Sequence, residues 1–273
     1  MLTVVTLRTL IAAGLIWVGM LLFSRHSIRS STPATLLSLT AGVVNGIGSL
    51  FFYASLLRID AALVQLINIS YLVFVTLLLR MAGQQLSHLT IFRIGLTIFA
   101  IYLLTTGGIS EPDWLGVLMV LLAAFTYAVQ LVFSQRIMLD IPAPTLTLYA
   151  MTGMAGVVSV AWLLFPTDLT DTTRTGWQAI FAMGLATAVS RLTLFLGVKG
   201  IGSIQTALIG VLEVLVTITI GIFWLNEQLT MIQSLGALII IISVLLIRYE
   251  KSVPNVTINW QRLVQWYPFS KRK

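Results

Sequence analysis

Apolar residues run along this chain in long blocks, separated by short polar connections rather than by an alternation of apolar and polar positions. Nine blocks are long enough and poor enough in charge to cross a bilayer: Leu2 to Phe23, Thr35 to Leu57, Ala61 to Met81, His88 to Thr106, Trp114 to Gln135, Thr145 to Phe165, Trp177 to Val198, Ser203 to Trp224 and Met231 to Ile247. At about 1.5 Å of rise per residue, a helix from Ser203 to Trp224 covers roughly 33 Å, enough to span the hydrocarbon. Strands of a membrane barrel would instead repeat as segments of about ten alternating residues, so each block is predicted to be a helix. Pro112, Pro142, Pro144 and Pro166 punctuate the connections, and no soluble domain fits in any of them. The pattern predicts an all-α polytopic membrane protein of about nine transmembrane helices.

Composition agrees with the pattern. Of the 273 residues, 58% are hydrophobic and 9% charged, and the mean hydropathy is +0.99; soluble domains carry about 25% charged residues. The net charge of +7 does not indicate nucleic acid, because the basic residues are dispersed one or two to a loop instead of clustering with aromatics on a face. Their distribution reports topology. One side holds Arg25, Arg29, Arg80, Arg136, Lys199, Arg248, Lys251, Arg262, Lys271, Arg272 and Lys273, with Arg93 just inside the adjoining helix. The other holds Arg58 and Arg174 with Asp60, Glu111, Asp113, Asp168, Asp171 and Glu227. The positive-inside rule places the first side and the C-terminus in the cytoplasm and Met1 outside, with a bacterial cytoplasmic membrane as the expected home. The chain has no cysteine, which excludes disulfides, thiolate metal sites and cysteine nucleophiles. Its apolar start lacks a charged leader and a small-residue cleavage site, so a signal peptide is not expected.

The stretch from Leu208 to Ile247 carries a family resemblance. Glu213, Leu225-Asn226-Glu227, Leu229, Gln233 and Gly236 fall in the order and spacing of the second half of the ten-helix drug/metabolite transporters, the EamA-like branch, with Val214 where that family usually has proline and Asn226 in place of its corner glycine. The halves of the chain also echo one another. Gly83-Gln84-Gln85-Leu86-Ser87 closes the third block much as Asn226-Glu227-Gln228-Leu229-Thr230 closes the eighth, and Ile59-Asp60-Ala61-Ala62 stands where Ile201-Gly202-Ser203 stands in the second half. The resemblance implies two inverted repeats, here four helices plus five, because a five-helix unit changes side and its copies are then inverted. Residues 1–110 would form the first repeat, 111–250 the second, and 251–273 a basic and aromatic cytoplasmic tail. Leu7 to Ala13 is similar to the family's second helix, so either the first helix is lacking or the chain begins at an internal methionine.

Polar residues inside the blocks are the candidate site. Glu213 sits near the middle of the eighth block and Arg191 about halfway along the seventh; charges at that depth pair with one another or face a cavity. They form a structural lock between two helices or a substrate-facing, proton-coupled pair, or else the two have separate fates. In the first half, Asn45, Tyr53, Gln65, Asn68, Ser70 and Tyr71 supply uncharged polar groups, and Gln65, Asn68 and Tyr71 share one helix face. Tyr127 and Gln130 form a similar pair in the fifth block, and Gln205 with Thr206 another at the start of the eighth. Each reads either as interhelical hydrogen bonding or as lining of a path. Arg8, near the outer end of the first block, reads as a snorkelling side chain before an anion attractor. Trp17, Trp162 and Trp224 read as belt or packing aromatics, and Gly42, Gly46, Gly48, Gly153 and Gly156 as close helix contacts.

Two functions compete. A secondary permease would move small metabolites, amino acids or amphipathic drug-like compounds by alternating access, with possible proton coupling; the sequence has no Gly-Lys-Ser/Thr phosphate loop and no metal-ligand set, so neither ATP nor another cofactor is expected. The alternative is a polytopic membrane enzyme or a lipid flippase on lipid-linked substrates, but the catalytic reading lacks any carboxylate or histidine dyad within the blocks. Expected partners are the lipid bilayer and a small-molecule substrate, not nucleic acid; a homodimer is left open.

Overall fold

The computed structural model describes residues 2–28, 30–81, 88–106, 113–165, 173–201, 206, 213, 216, 220, 223, 224 and 230–246. Ten helices are bounded within them: α1 (Leu2–Phe23), α2 (Arg25–Ile28), α3 (Thr32–Ser55), α4 (Ala61–Asn68), α5 (Tyr71–Met81), α6 (His88–Thr106), α7 (Trp114–Ile137), α8 (Ala143–Leu164), α9 (Arg174–Ile201) and α10 (Met231–Leu245). Thr206, Glu213, Val216, Ile220, Phe223 and Trp224 are also helical, and no strand occurs among the described residues. The eighth block is otherwise outside the described residues. So are Val214, Gln205, the corners at 83–87 and 225–229, Glu111, Pro112, Pro166, Asp168, Asp171 and the tail.

Six helical segments are long and apolar enough to cross a membrane, and Ile91–Thr106 and Met231–Ser243 are shorter apolar helices. Large apolar side chains such as Phe99, Leu163, Phe181 and Leu238 point outward and are exposed, as suits a chain whose surroundings are lipid tails. The protein is an integral, multi-pass membrane protein. Local chemistry sets several helix starts. Asp113 caps α7, its carboxylate accepting from the Gly116 backbone N–H at 2.8 Å, while prolines occupy the first turns of α3 and α8, where no intrahelical donor is lost.

The centre of the bundle is α3 packed between α7 and α8, with α1 against α8 and α9. Small residues make this possible. A Cβ on Gly42 would run into the backbone of Ala150, one on Gly153 into the backbone of Leu39, and one on Gly48 into the Thr126 side chain. Gly46 also lies close to Val157 and Met154, though less tightly, and Gly156 faces open space and has no such role. Trp17 behaves as a packing aromatic, donating from Nε1 to Thr152 Oγ1 at 3.0 Å and meeting Tyr149 edge-on. At the periphery α6 and α10 form a pair of their own. There Arg93, only 5% exposed, donates from Nε to the Ser243 carbonyl at 2.8 Å, and Gln233 Nε2 reaches the Leu104 carbonyl at 3.3 Å.

The third block departs from the single helix that its length predicts. It is two helices, α4 and α5, joined by a tightened turn in which Ser70 N–H bonds to the Ile67 carbonyl and Leu72 N–H to that of Ile69, three residues back instead of four. The cause lies in composition: Asn68 and Ser70 are poor helix-interior residues and occupy the middle of an otherwise apolar run.

Candidate functional site

A cavity of about 440 Å³ opens within the bundle, and polar side chains from α1, α3, α4, α5, α7 and α9 line it together with Glu213. On α3 the lining runs from Asn45 to Tyr53, on α1 it is Arg8, and on α4 it is Gln65 and Asn68. Arg8, Gln65 and Asn68 lie toward the end of the bundle that carries Arg58 and Asp113, whereas Asn45 and Gly48 of α3 and Ala123 and Tyr127 of α7 lie nearer mid-span. Gly184 brings α9 onto α1, since a Cβ there would meet Ile11 and the Arg8 carbonyl. The turn between α4 and α5 aims Gln65, Asn68 and Tyr71 at the same space.

Of the residues singled out from sequence, Arg191, Glu213, Gln65, Asn68, Tyr71, Tyr127 and Asn45 are all brought to this cavity, together with Tyr53. Gln130 is not: it is 2% exposed on the buried side of α7, its Oε1 without a partner, and the cavity does not reach it. Gln130 and Tyr127 are three residues apart, a rotation that leaves one facing the space and the other facing a neighbouring helix. Asn45 lies at the cavity wall with Nδ2 directed at the Met154 sulfur at 3.3 Å.

The two mid-membrane charges share the cavity, but the contact that Arg191 makes is with an aromatic ring. Its guanidinium carbon stands 5.8 Å from the centroid of Tyr127, and Tyr127 packs edge-on against Tyr71 at 4.9 Å. Glu213 instead accepts from Gln65 Nε2 through a long hydrogen bond of 3.4 Å. A second guanidinium occupies the site. Arg8 does not snorkel away; its carbon sits 4.8 Å from the Tyr53 ring centroid, and its Nε is buried without a hydrogen-bond partner. Arg8 and Arg191 thus line one cavity, each against a tyrosine ring.

Just beyond the C-terminal end of α3, Arg58 Nε pairs with Asp113 Oδ2 at 2.9 Å. The hydrogen bond from Gly116 N–H and then the one from Arg58 hold the Asp113 carboxyl below the usual aspartate range. At the opposite end Lys199 Nζ donates to the Ile141 carbonyl at 3.2 Å.

Residues 114–249, the second half of the chain, match the EamA-like transporter family. The chain belongs to that family. Its members are transporters of the drug/metabolite type, so this EamA-like protein is a membrane transporter by family. One solved structure, titled only as a crystal structure of a protein, superposes with a TM-score of 0.65 at 15% identity, covering 90% of this chain and 86% of that one. That likeness speaks for the fold alone. No curated protein matches the chain.

Proposed function

We infer that this EamA-like protein is a secondary permease that carries small metabolites, amino acids or amphipathic compounds by alternating access, with the 440 Å³ cavity as the substrate site. The observation that carries the reading is the cavity itself. Ionisable and amide side chains from both halves of an apolar bundle converge on one space near mid-span, a costly arrangement in lipid unless the space holds water and solute. Its volume suits a solute of metabolite size. Arg191 and Tyr127 from the second half line this space together with Gln65, Asn68 and Tyr71 from the first, so a relative rocking of the halves would pass the solute from one side to the other. Glu213, tethered by Gln65, is the group that would exchange a proton during that cycle.

The reading is tested with purified protein in sealed vesicles preloaded with a mixture of unlabelled amino acids, organic acids and amphipathic cations. Labelled members of the mixture supplied outside should accumulate transiently by counterflow for at least one compound, without chemical change. Chemical conversion without accumulation would replace the permease with a membrane enzyme.

A further inference from the structure

The charge balance of the cavity points to the kind of solute it takes. Two guanidiniums and one carboxylate line it, and the carboxylate is engaged by Gln65. Neither arginine is neutralised by an acid: Arg8 lies against Tyr53 with Nε buried and unpartnered, and Arg191 lies against Tyr127 with no hydrogen bond or ion pair among the described residues. Cation–π contact satisfies a guanidinium over its face and leaves its in-plane N–H donors unused. Two like charges on the lining of one partly desolvated cavity repel, and an anion between them lowers that repulsion. Planar, multiply donating guanidiniums match the oxygens of a carboxylate or phosphate by bidentate hydrogen bonding. The rings of Tyr53 and Tyr127, themselves on the lining, stand against the two arginines, and Gly184 sets the close α1–α9 approach at Arg8.

We propose that Arg8 and Arg191 form an anion clamp in the cavity, and that the solutes of this protein carry a carboxylate or phosphate bound between the two guanidiniums. The proposal rests on the cavity being the substrate site. With Glu213 ionised the lining has one net positive charge, so a solute whose net charge is about −1 is the best match, and a cation of the same size is repelled.

The experiment needs no knowledge of the rest of the solute. The purified full chain is titrated with sodium acetate, sodium benzoate or inorganic phosphate at ionic strength matched with sodium chloride, and with acetamide and benzamide as neutral counterparts, while its melting temperature is followed. The acids should raise the melting temperature saturably, and the amides should not. Arg8→Gln and Arg191→Gln should each weaken apparent anion affinity at least about tenfold, with Arg8→Lys and Arg191→Lys retaining part of it. A response to acetate and benzoate assigns the anionic group as a carboxylate, and a response to phosphate alone assigns it as a phosphate; both uphold the clamp. Equal effects of acids and amides, no saturable anion effect, or an anion effect that survives in both Gln variants would overturn it. Counterflow of neutral or cationic solutes without any anion effect would refute the clamp and leave the permease standing, whereas anion binding with no transport of any acid would do the reverse.

Discussion

Glu213 and Arg191 were visible in the sequence because a charge in a long apolar run has few tolerable fates, and the structure brings both to the cavity. Which groups they touch was not visible. Partner choice depends on helix rotation, and Arg191 faces a tyrosine ring while Glu213 faces an amide. Arg8 was misread for a related reason: depth along a helix is legible from sequence, but whether a residue near the helix end faces lipid or the interior is set by packing of α1 on α9. If Glu213 carries a proton during the cycle, Glu213→Gln should lower uptake driven by an imposed proton gradient several-fold more than exchange between equilibrated compartments. Equal loss of both in a well-folded variant would assign Glu213 to solute binding or architecture. Asp113 makes a prediction in pH. Its carboxyl is held below the usual range, so its stabilisation is complete above the unfolded aspartate value of about 4 and is lost as pH falls through the lower folded value. Asp113→Asn should therefore lower the melting temperature at neutral pH, and the gap to the parent protein should close on acidification; a gap unchanged by pH would show that the ionised form is not what stabilises.

Element boundaries followed closely from apolar length, with α1 and α6 matching their blocks at both ends. The break between α4 and α5 did not follow, because hydropathy averages over Asn68 and Ser70 and registers only an uninterrupted run. In structural terms that turn lets three polar side chains of one segment face a single cavity. The glycines of α3 and α8 were legible as contacts because lipid offers no hydrophobic drive for helix association, leaving close backbone approach to supply it. Gly42→Val and Gly153→Val should each destabilise the protein by about 1–3 kcal/mol or more by overpacking the α3–α8 contact, whereas Gly156→Ala, next to open space, should leave thermal stability in detergent nearly unchanged. Equal sensitivity at all three positions would show that the α3–α8 approach is looser than described.

The whole molecule was the most legible scale, since 58% hydrophobic residues in membrane-length blocks leave little choice of class. Its orientation rests on charge bias alone. Reporters fused after Arg136 or at Lys273 should read cytoplasmic, and those after Asp113 or Asp171 external; exchange of these sides would undo the assignment of the Arg58–Asp113 end as the outer one. The central claim is that the polar cavity is a water-filled path open to one side at a time. The absence of native cysteines makes it directly measurable: Ser49→Cys and Thr187→Cys each place a single thiol on the lining. In oriented vesicles, a membrane-impermeant maleimide should label both thiols from the Arg58–Asp113 side, and a transported solute should shift reactivity toward the opposite side. Labelling from neither side would mean a dry structural core, and equal, solute-independent labelling from both sides would mean an open channel; either result would contradict alternating access through this cavity.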